Sequence, residues 1–237
     1  MSHPPFIWDS SQADYVPPEG MDALWSKGWR HFGTEFFRYS ISVYDGNWQT
    51  VAPLRLPLAE LDLTKSQRRV LRKNKDVECR VAPARITDEA EAMFQRHKAR
   101  FKENVPETLR TFLSPEPWHL PCQCLEFQCW LEGRLVAMSY LDIGANSVSA
   151  VYGMFEPEPD LAWRSLGIFT LLQEMQWAKD HGKTWHYPGY ATLGSSAYDY
   201  KKQFRGLLGY HWRNDQWLPW AKLVAESSEG RTGLADI

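Results

Sequence analysis

The stretch RSLGIFTLLQEMQWAKDHG, residues 164–182, decides the fold. Ile168, Leu171, Leu172, Met175 and Trp177 or Ala178 recur at helical spacing and give the segment one buried side. Gly182 supplies a stop at its C-terminal end. Two strand patterns bracket this helix: SVSAVYGMF (147–155), joined to it through EPEPD (156–160), and TWHYPGY (184–190). Strand, helix and strand in that order predict a crossover between parallel neighbours in one sheet.

Working outward, CQCLEFQCWLEG (122–133) alternates, turns at Glu132-Gly133 and returns as RLVAMSYLDIG (134–144). Downstream, SSAYDYKKQFRG (195–206) reads as a short helix and YHWRNDQWLPW (210–220) as a last strand. Nearer the start, residues 21–31 fit a short helix and EFFRYSISVY (35–44) a strand. DGN (45–47) turns it into WQTVAPLRLPL (48–58), where Pro53 and Pro57 predict an edge or an interruption. Thr64 with Gln67 forms a capping-box pattern, so a helix starts in LTKSQRRVLRKNKD (63–76). ECRVAPARI (78–86) reads as a strand, Thr87 caps a further helix, and three prolines in 104–120 predict irregular chain. The expected fold is α/β: a mixed sheet with a crossover helix, plus a smaller N-terminal α+β region. Its element order is that of an acetyltransferase-like (GNAT) core, in which the loop before the central helix meets the pyrophosphate of a cofactor. The expected organisation is an extended arm over 1–20, an N-terminal region with a basic helix over 21–85, the acetyltransferase-like domain over 86–220 and a flexible tail over 221–237.

The 237 residues are 43% apolar with a formal net charge of −2, a globular composition. The charge argues against a general nucleic-acid coat, which rests on phosphate neutralisation, yet allows a local basic patch. No run reaches membrane-spanning length and the start lacks a signal-peptide pattern, so a cytoplasmic protein with free thiols is expected. The 12 tryptophans need partners for their indole N–H groups or a groove to line.

Two features point to an anion. At Arg164-Ser165-Leu166-Gly167, helix-start amides lack helical partners, Gly167 permits close approach, and Arg164 can add a charge-assisted bond. The competing reading is a plain start, with Ser165 as N-cap and Gly167 relieving a tight contact. Separately, Lys65, Arg68, Arg69, Arg72, Lys73 and Lys75 crowd one short window, and 65, 68, 69, 72 and 73 share one helical face. That strip can track a nucleic-acid backbone, or serve as a solvated helix paired with nearby carboxylates.

SQRRVLRKNKD (66–76), the segment from AVYGMFEPE to AKDHG (150–182), WHYPGY (185–190) and YDYKKQFRG (198–206) follow one another as in the aminoacyl-tRNA–protein transferases, which the chain resembles over roughly residues 35–215. That group includes arginyltransferases and bacterial leucyltransferases acting on acidic N-termini. The resemblance implies transfer of an amino acid from charged tRNA to a protein or peptide N-terminus, with a small amine as the alternative acceptor. Aminoacyl-tRNA is then the co-substrate, no further cofactor is needed, and a monomer is expected. Residues 164–167 would hold phosphate near the tRNA acceptor end, and the basic strip would face tRNA. One departure stands out: members carry a cysteine cluster before the SQRR-like motif, whereas residues 41–69 here contain no cysteine, so no iron–sulfur cluster is expected. An acyl-CoA-dependent N-acyltransferase and a non-catalytic, tRNA-binding relative are the alternatives; the basic strip suits tRNA better than coenzyme A.

Attack of a neutral α-amine on the aminoacyl ester needs orientation, oxyanion stabilisation and modest proton relay. The candidate catalytic residues are Tyr152, Glu156, His186 and Tyr190, with Glu156 able to order Arg164 or to orient the amine, and His186 able to act as a base at a strand end or simply to pack within the strand. Tyr187, Tyr198, Tyr200 and Lys201 are candidates for seating the substrate, Lys201 as the lysine of the family's Tyr-Lys pair. Core packing for the tyrosines and solvation for the lysine are the plain alternatives. Cys122, Cys124 and Cys129 do not converge at zinc-site spacing and read, like Cys79, as small core residues; no metal site is expected.

Overall fold

The computed structural model describes residues 5–44, 46–101, 105–196 and 199–229. Its centre is the predicted crossover. Strand β9 (Ser147–Phe155) leads through a 3-10 turn (Ala162–Arg164) into helix α4 (Leu166–Asp180), which returns the chain to β10 (Trp185–Thr192), parallel to β9. Gly182, at φ +70°, follows the last helical turn in the left-handed conformation expected of a C-terminal stop. Upstream, β7 (Cys124–Leu131) and β8 (Arg134–Ile143) form the predicted hairpin. Glu132 and Gly133 both take positive φ, the signature of a type I′ turn whose twist suits paired strands.

Among the described residues these strands belong to a nine-stranded sheet. The remaining members are β4 (Ile41–Tyr44), β5 (Asn47–Pro57), β6 (Glu78–Pro83), β11 (Leu208–His211) and β12 (Gln216–Pro219). The order is β12-β11-β5-β10-β9-β8-β7-β6, with β4 also on β5. The sheet therefore runs across residue 85, since β5 and β6 pair with strands from the 86–220 stretch. The single last strand expected over 210–220 is instead the β11–β12 hairpin.

Of the two readings the β5 prolines offered, an edge or an interruption, the structure shows the interruption. β5 is an interior strand, flanked by β10 on one side and by β4 and β11 on the other. Pro53 falls between the residues paired with β4 (47–50) and those paired with β11 (54–55), and Pro57 is the strand's last residue. A missing N–H at those points removes little from the ladder. The turn residue Asp45 lies outside the described residues.

Helices cover both faces. α2 (Lys65–Lys73) and α4 pack with Leu56, Leu58, Phe127, Val136 and Leu141 in the larger core. α3 (Asp88–Lys98) and the 3-10 turn Leu109–Thr111 cover the other face through Met93, Phe94, Leu109, Met138 and Met154. The Thr64–Gln67 capping box is formed reciprocally, and Thr87 caps α3 alone, as its sequence predicts.

The extended arm is more ordered than expected. β1 (Trp8–Gln12), β2 (Arg30–Phe32) and β3 (Glu35–Tyr39) make a small sheet in the order β1-β3-β2, and α1 (Pro18–Ser26) begins inside the stretch read as arm. Buried Ser40 separates β3 from β4, its hydroxyl donating to Pro5 O and accepting from Ile7 N–H. At the other end, residues 220–229 form helix α5 and the rest of the expected tail lies outside the described residues. Among the described residues no helix is long and apolar enough to cross a membrane.

Candidate active site

Parallel pairing of β9 with β10 is short. It covers Trp185, His186 and Tyr187 against Ser147, Val148 and Ser149, and then stops, although both strands continue. Beyond that point the sheet is split, and the backbone groups facing the split need other partners. Arg30 of β2 supplies them. Its guanidinium donates to Ser149 Oγ (2.7 Å), to Ala150 O and to Tyr187 O (3.4 Å). Burial pulls the guanidinium below its ordinary pKa, with the Asp142 charge the main opposing influence.

A bulge in β10 between His186 and Gly189 opens the split further. Gly189 sits at φ +103°, and a Cβ there would meet Lys201 Nζ at 3.1 Å and the Arg30 guanidinium carbon at 3.9 Å. The positive φ favours glycine there, and the lysine and arginine heads crowd the space a side chain would enter. Lys201 arrives from the 3-10 turn Asp199–Gln203. Burial, reinforced by Arg30, lowers its pKa from 10.5 to about 7, with Glu174 acting in the opposite direction.

The other candidates separate into those that line this region and those that do not. The Tyr190 hydroxyl donates to Gly28 O and its ring lies against Tyr39 (4.9 Å between centroids). Tyr187 is buried against Trp25 and Trp217, and burial raises its pKa against the opposing influence of Arg55. Tyr152 stacks on Phe112 at 4.3 Å, on the α3 face of the sheet. Tyr200 is half-buried against the α4-side core, and Tyr198 lies outside the described residues.

Three expectations are corrected by geometry. His186 does not edge a cleft: it is fully buried beside α4, 3.4 Å from Glu174 Oε2, with Nδ1 unpartnered among the described residues. Glu156 does not order Arg164; its buried carboxylate is held bidentately by Arg96 at 2.6 and 2.8 Å. Arg164 is not poised for an anion. It is 9% exposed and its guanidinium donates twice to Asp76 (2.8 Å each) and once to Lys73 O (3.1 Å).

That engagement reveals what Arg164 does. Together with Asn74, whose amide donates to Arg164 O and Val70 O, and Lys73, which donates to Trp163 O, it clasps the end of α2 to the start of α4. The two anion-seeking features of the sequence are therefore neighbours in space. At the α4 start, Ser165 is left-handed (φ 56°, ψ 49°) and makes no side-chain cap, so it is no ordinary N-cap. The amides of Ile168 and Phe169 donate to Ser165 O, while those of Leu166 and Gly167 make no hydrogen bond among the described residues. Gly167 faces Phe155, whose ring a Cβ would meet at 3.1 Å, so its close approach is to a ring of the chain itself. On α2 and just after it, Lys65, Arg68, Arg69, Arg72 and Lys75 are exposed and Lys73 half-buried. Arg68 donates to Leu63 O and lies 3.8 Å from Asp62; Lys65, Arg69, Arg72 and Lys75 form no ion pair among the described residues.

Sequence reasoning missed Arg30, Glu174 and Asp76, and with them an aromatic concavity of about 290 Å³ between β1 and the β2–β3 hairpin. Trp8, Phe32, Phe37 and Tyr39 line it with Ser10, Asp9 and Arg38. Tyr39 links it to Tyr190. Asp9 is its acidic lining residue and is bonded to Arg38 at 2.7 Å.

Residues 89–210 match the family model described as arginine-tRNA-protein transferase, C terminus. The aspartate/glutamate leucyltransferase of Xanthomonas euvesicatoria is 34% identical over 175 residues, covering 68% of this chain and 68% of that protein. The aspartate/glutamate leucyltransferase of Chromohalobacter salexigens is 29% identical over 207 residues, covering 83% of this chain and 81% of that protein. Among solved structures, a GCN5-related N-acetyltransferase from Kribbella flavida is 15% identical with a TM-score of 0.35, covering 68% of this chain and 58% of that one.

Proposed function

The chain belongs to the arginine-tRNA-protein transferase family, and we propose on that premise that it carries leucine from tRNA to the α-amine of an N-terminal Asp or Glu. Membership makes it an aminoacyl-tRNA-dependent transferase acting at protein or peptide N-termini. The leucyl donor and acidic acceptor are the reading drawn here from its leucyltransferase relatives. One observation carries the reading: one clasp joins exposed Lys65, Arg69, Arg72 and Lys75 to the start of α4, where the Leu166 and Gly167 amides make no hydrogen bond among the described residues, while the split holds the buried amine of Lys201. Cations and open amides suit the phosphates of a tRNA acceptor end. The aromatic concavity suits an apolar aminoacyl side chain. Its carboxylate is already paired with Arg38, which leaves no spare negative charge for an arginyl group.

The reaction asks for little acid–base chemistry. The neutral α-amine attacks the ester carbonyl, the C–O bond to the ribose breaks, and the amine loses a proton while the ribose oxygen gains one. A single group that accepts and returns that proton suffices. Lys201, with its pKa near 7, is suited to the task, and Arg30 keeps a fixed positive charge beside it. The reaction draws on the aminoacyl-tRNA pool, so we place the protein in the cytoplasm, acting as a monomer.

The test charges total tRNA with labelled leucine or arginine and offers peptides beginning with Asp, Glu, Lys or Arg, and small amines. Leucine on Asp and Glu peptides supports the reading. Arginine transfer, or label on small amines alone, overturns the donor or the acceptor. Lys201→Arg keeps the charge but cannot take up a proton, and should lower kcat by roughly 10²–10⁴. Full activity of Lys201→Arg would remove Lys201 as the proton carrier.

A further inference from the structure

Away from the split, two of the cysteines read from sequence as small core residues belong to a buried cluster with a histidine and a carboxylate. His31 (β2), Cys122 (just before β7) and Asp142 (β8) are each no more than 5% exposed, and their ligand atoms all lie within 4.8 Å of one another. His31 Nε2 is 2.8 Å from Asp142 Oδ2 and 4.0 Å from Cys122 Sγ. Cys124 faces Asp142 across the β7–β8 ladder and is equally buried.

The Cys122 and Cys124 thiols hydrogen-bond to Asp142, but the His31 side of the cluster does not close by itself. His31 Nδ1 lies 2.8 Å from Gly33 O, which can only accept, so Nδ1 carries a proton. A neutral ring then points its Nε2 lone pair at a carboxylate oxygen. The pair needs a cation, either a second proton or a metal ion. Nδ1–H on a backbone carbonyl with Nε2 turned inward is the arrangement by which proteins orient a metal-binding histidine. The ring plane is held further by stacking on Phe36 at 5.0 Å. Around the cluster, Met21, Trp25, Phe36 and Tyr187 pack as a buried apolar shell with Cys122. Arg30, whose charge Asp142 influences, directs its donors to Ser149, Ala150 and Tyr187 instead.

We propose that His31 Nε2, Cys122 Sγ and Asp142 Oδ2 bind a zinc-class divalent ion, with Cys124 the adjacent further thiol. A mixed nitrogen, sulfur and oxygen set at bond lengths of about 2.0–2.3 Å is zinc chemistry, and atoms this close need only side-chain adjustment to meet such an ion. Binding releases the Cys122 thiol proton, and any proton held between His31 and Asp142, to solvent. The ion would tie β2 to β8 and to the chain before β7. Because His31 adjoins Arg30, it would fix the strand that carries Arg30 into the split.

The experiment takes the full chain, stripped by chelator under reducing conditions, and titrates it with Zn²⁺ and with Co²⁺. The expected results are one tightly bound ion per chain, proton release, a thiolate-to-cobalt charge-transfer band and a zinc-dependent rise in Tm. Cys122→Ala should lose the band and weaken zinc binding by at least the roughly 10–100-fold that loss of an outer partner costs. Cys129→Ala, a buried cysteine on β7 outside the cluster, should keep both. Absence of the cobalt band in the native chain, or equal zinc affinity in folded Cys122→Ala, overturns the proposal. Should Cys122→Ala fail to fold, the cobalt spectrum and zinc-dependent Tm of the native chain decide alone.

Discussion

Replacing Lys201 by methionine should make the protein more stable, in a way that depends on pH. The wild-type ammonium lies against Gly189 and beside Arg30, and its pKa falls from 10.5 in the unfolded chain to about 7 in the fold. A lowered pKa means that the folded state holds fewer protons than the unfolded state between those values, so wild-type stability rises with pH across that window. Below about pH 7 both states are protonated and the full cost of burying the charge is present. At about 1.4 kcal/mol per unit, a shift of this size sets a ceiling near 5 kcal/mol. Lys201→Met carries no such proton. Its advantage should therefore be largest and flat below about pH 7. It should shrink by about 1.4 kcal/mol per pH unit above that, or roughly 3 kcal/mol by pH 9. Any change in packing shifts the whole curve without changing its slope. Urea unfolding of both proteins at pH 6, 7, 8 and 9 measures the gap. A gap that stays constant from pH 7 to 9 would refute the argument that Lys201 is held near neutrality by burial beside Arg30.

Arg69→Ala with Arg72→Ala should weaken tRNA binding and reduce the magnitude of the log–log salt slope by about 0.7–0.9 per charge removed; titrations at several salt concentrations read the slope, and an unchanged slope would take α2 out of the tRNA surface. Asp76→Ala should cost about 1–2 kcal/mol in urea unfolding, less than a sealed pair because Asp76 is half exposed. The Arg164 hydrogen bonds hold the Asp76 carboxyl below its ordinary range, so the pair's contribution is present above that range and lost as pH falls through the lowered folded pKa. His97 is buried with Nδ1 accepting from Phe155 N–H, and burial lowers its pKa from 6.5 to about 4. Stability should then fall by about 3 kcal/mol as pH drops from 6.5 to 4, because the unfolded chain takes up the proton first; His97→Gln should flatten that part of the acid profile.

Legibility followed sequence distance. The α4 crossover, the Thr64–Gln67 box, the Glu132-Gly133 turn and the Gly182 stop depend on residues a few positions apart, and each is formed as its local pattern implies. The partners of single charges were not legible. Arg164 finds Asp76 across 88 positions, Glu156 finds Arg96 across 60, and His31 finds Asp142 across 111. No periodicity encodes such pairs. Reading Arg164 as a phosphate ligand from its place at a helix start followed the local rule and failed because a carboxylate of the fold reaches it first.

His186 shows a second kind of limit. Strand alternation decides which side chains share a face, but the bulge between His186 and Gly189 resets that alternation just before Gly189 and Tyr190. The same bulge accounts for why the split can exist. A parallel pair continued past Tyr187 would satisfy β9 and β10 with each other and leave no place for a cation. Ending the pairing there orphans Ala150 O and the Ser149 side chain, Arg30 is drawn in to bond them, and its fixed charge then helps hold Lys201 near neutrality. The irregularity that defeats the sequence reading is thus the step that produces a titratable amine at neutral pH. Restoring regular pairing in this part of β10 should abolish both together.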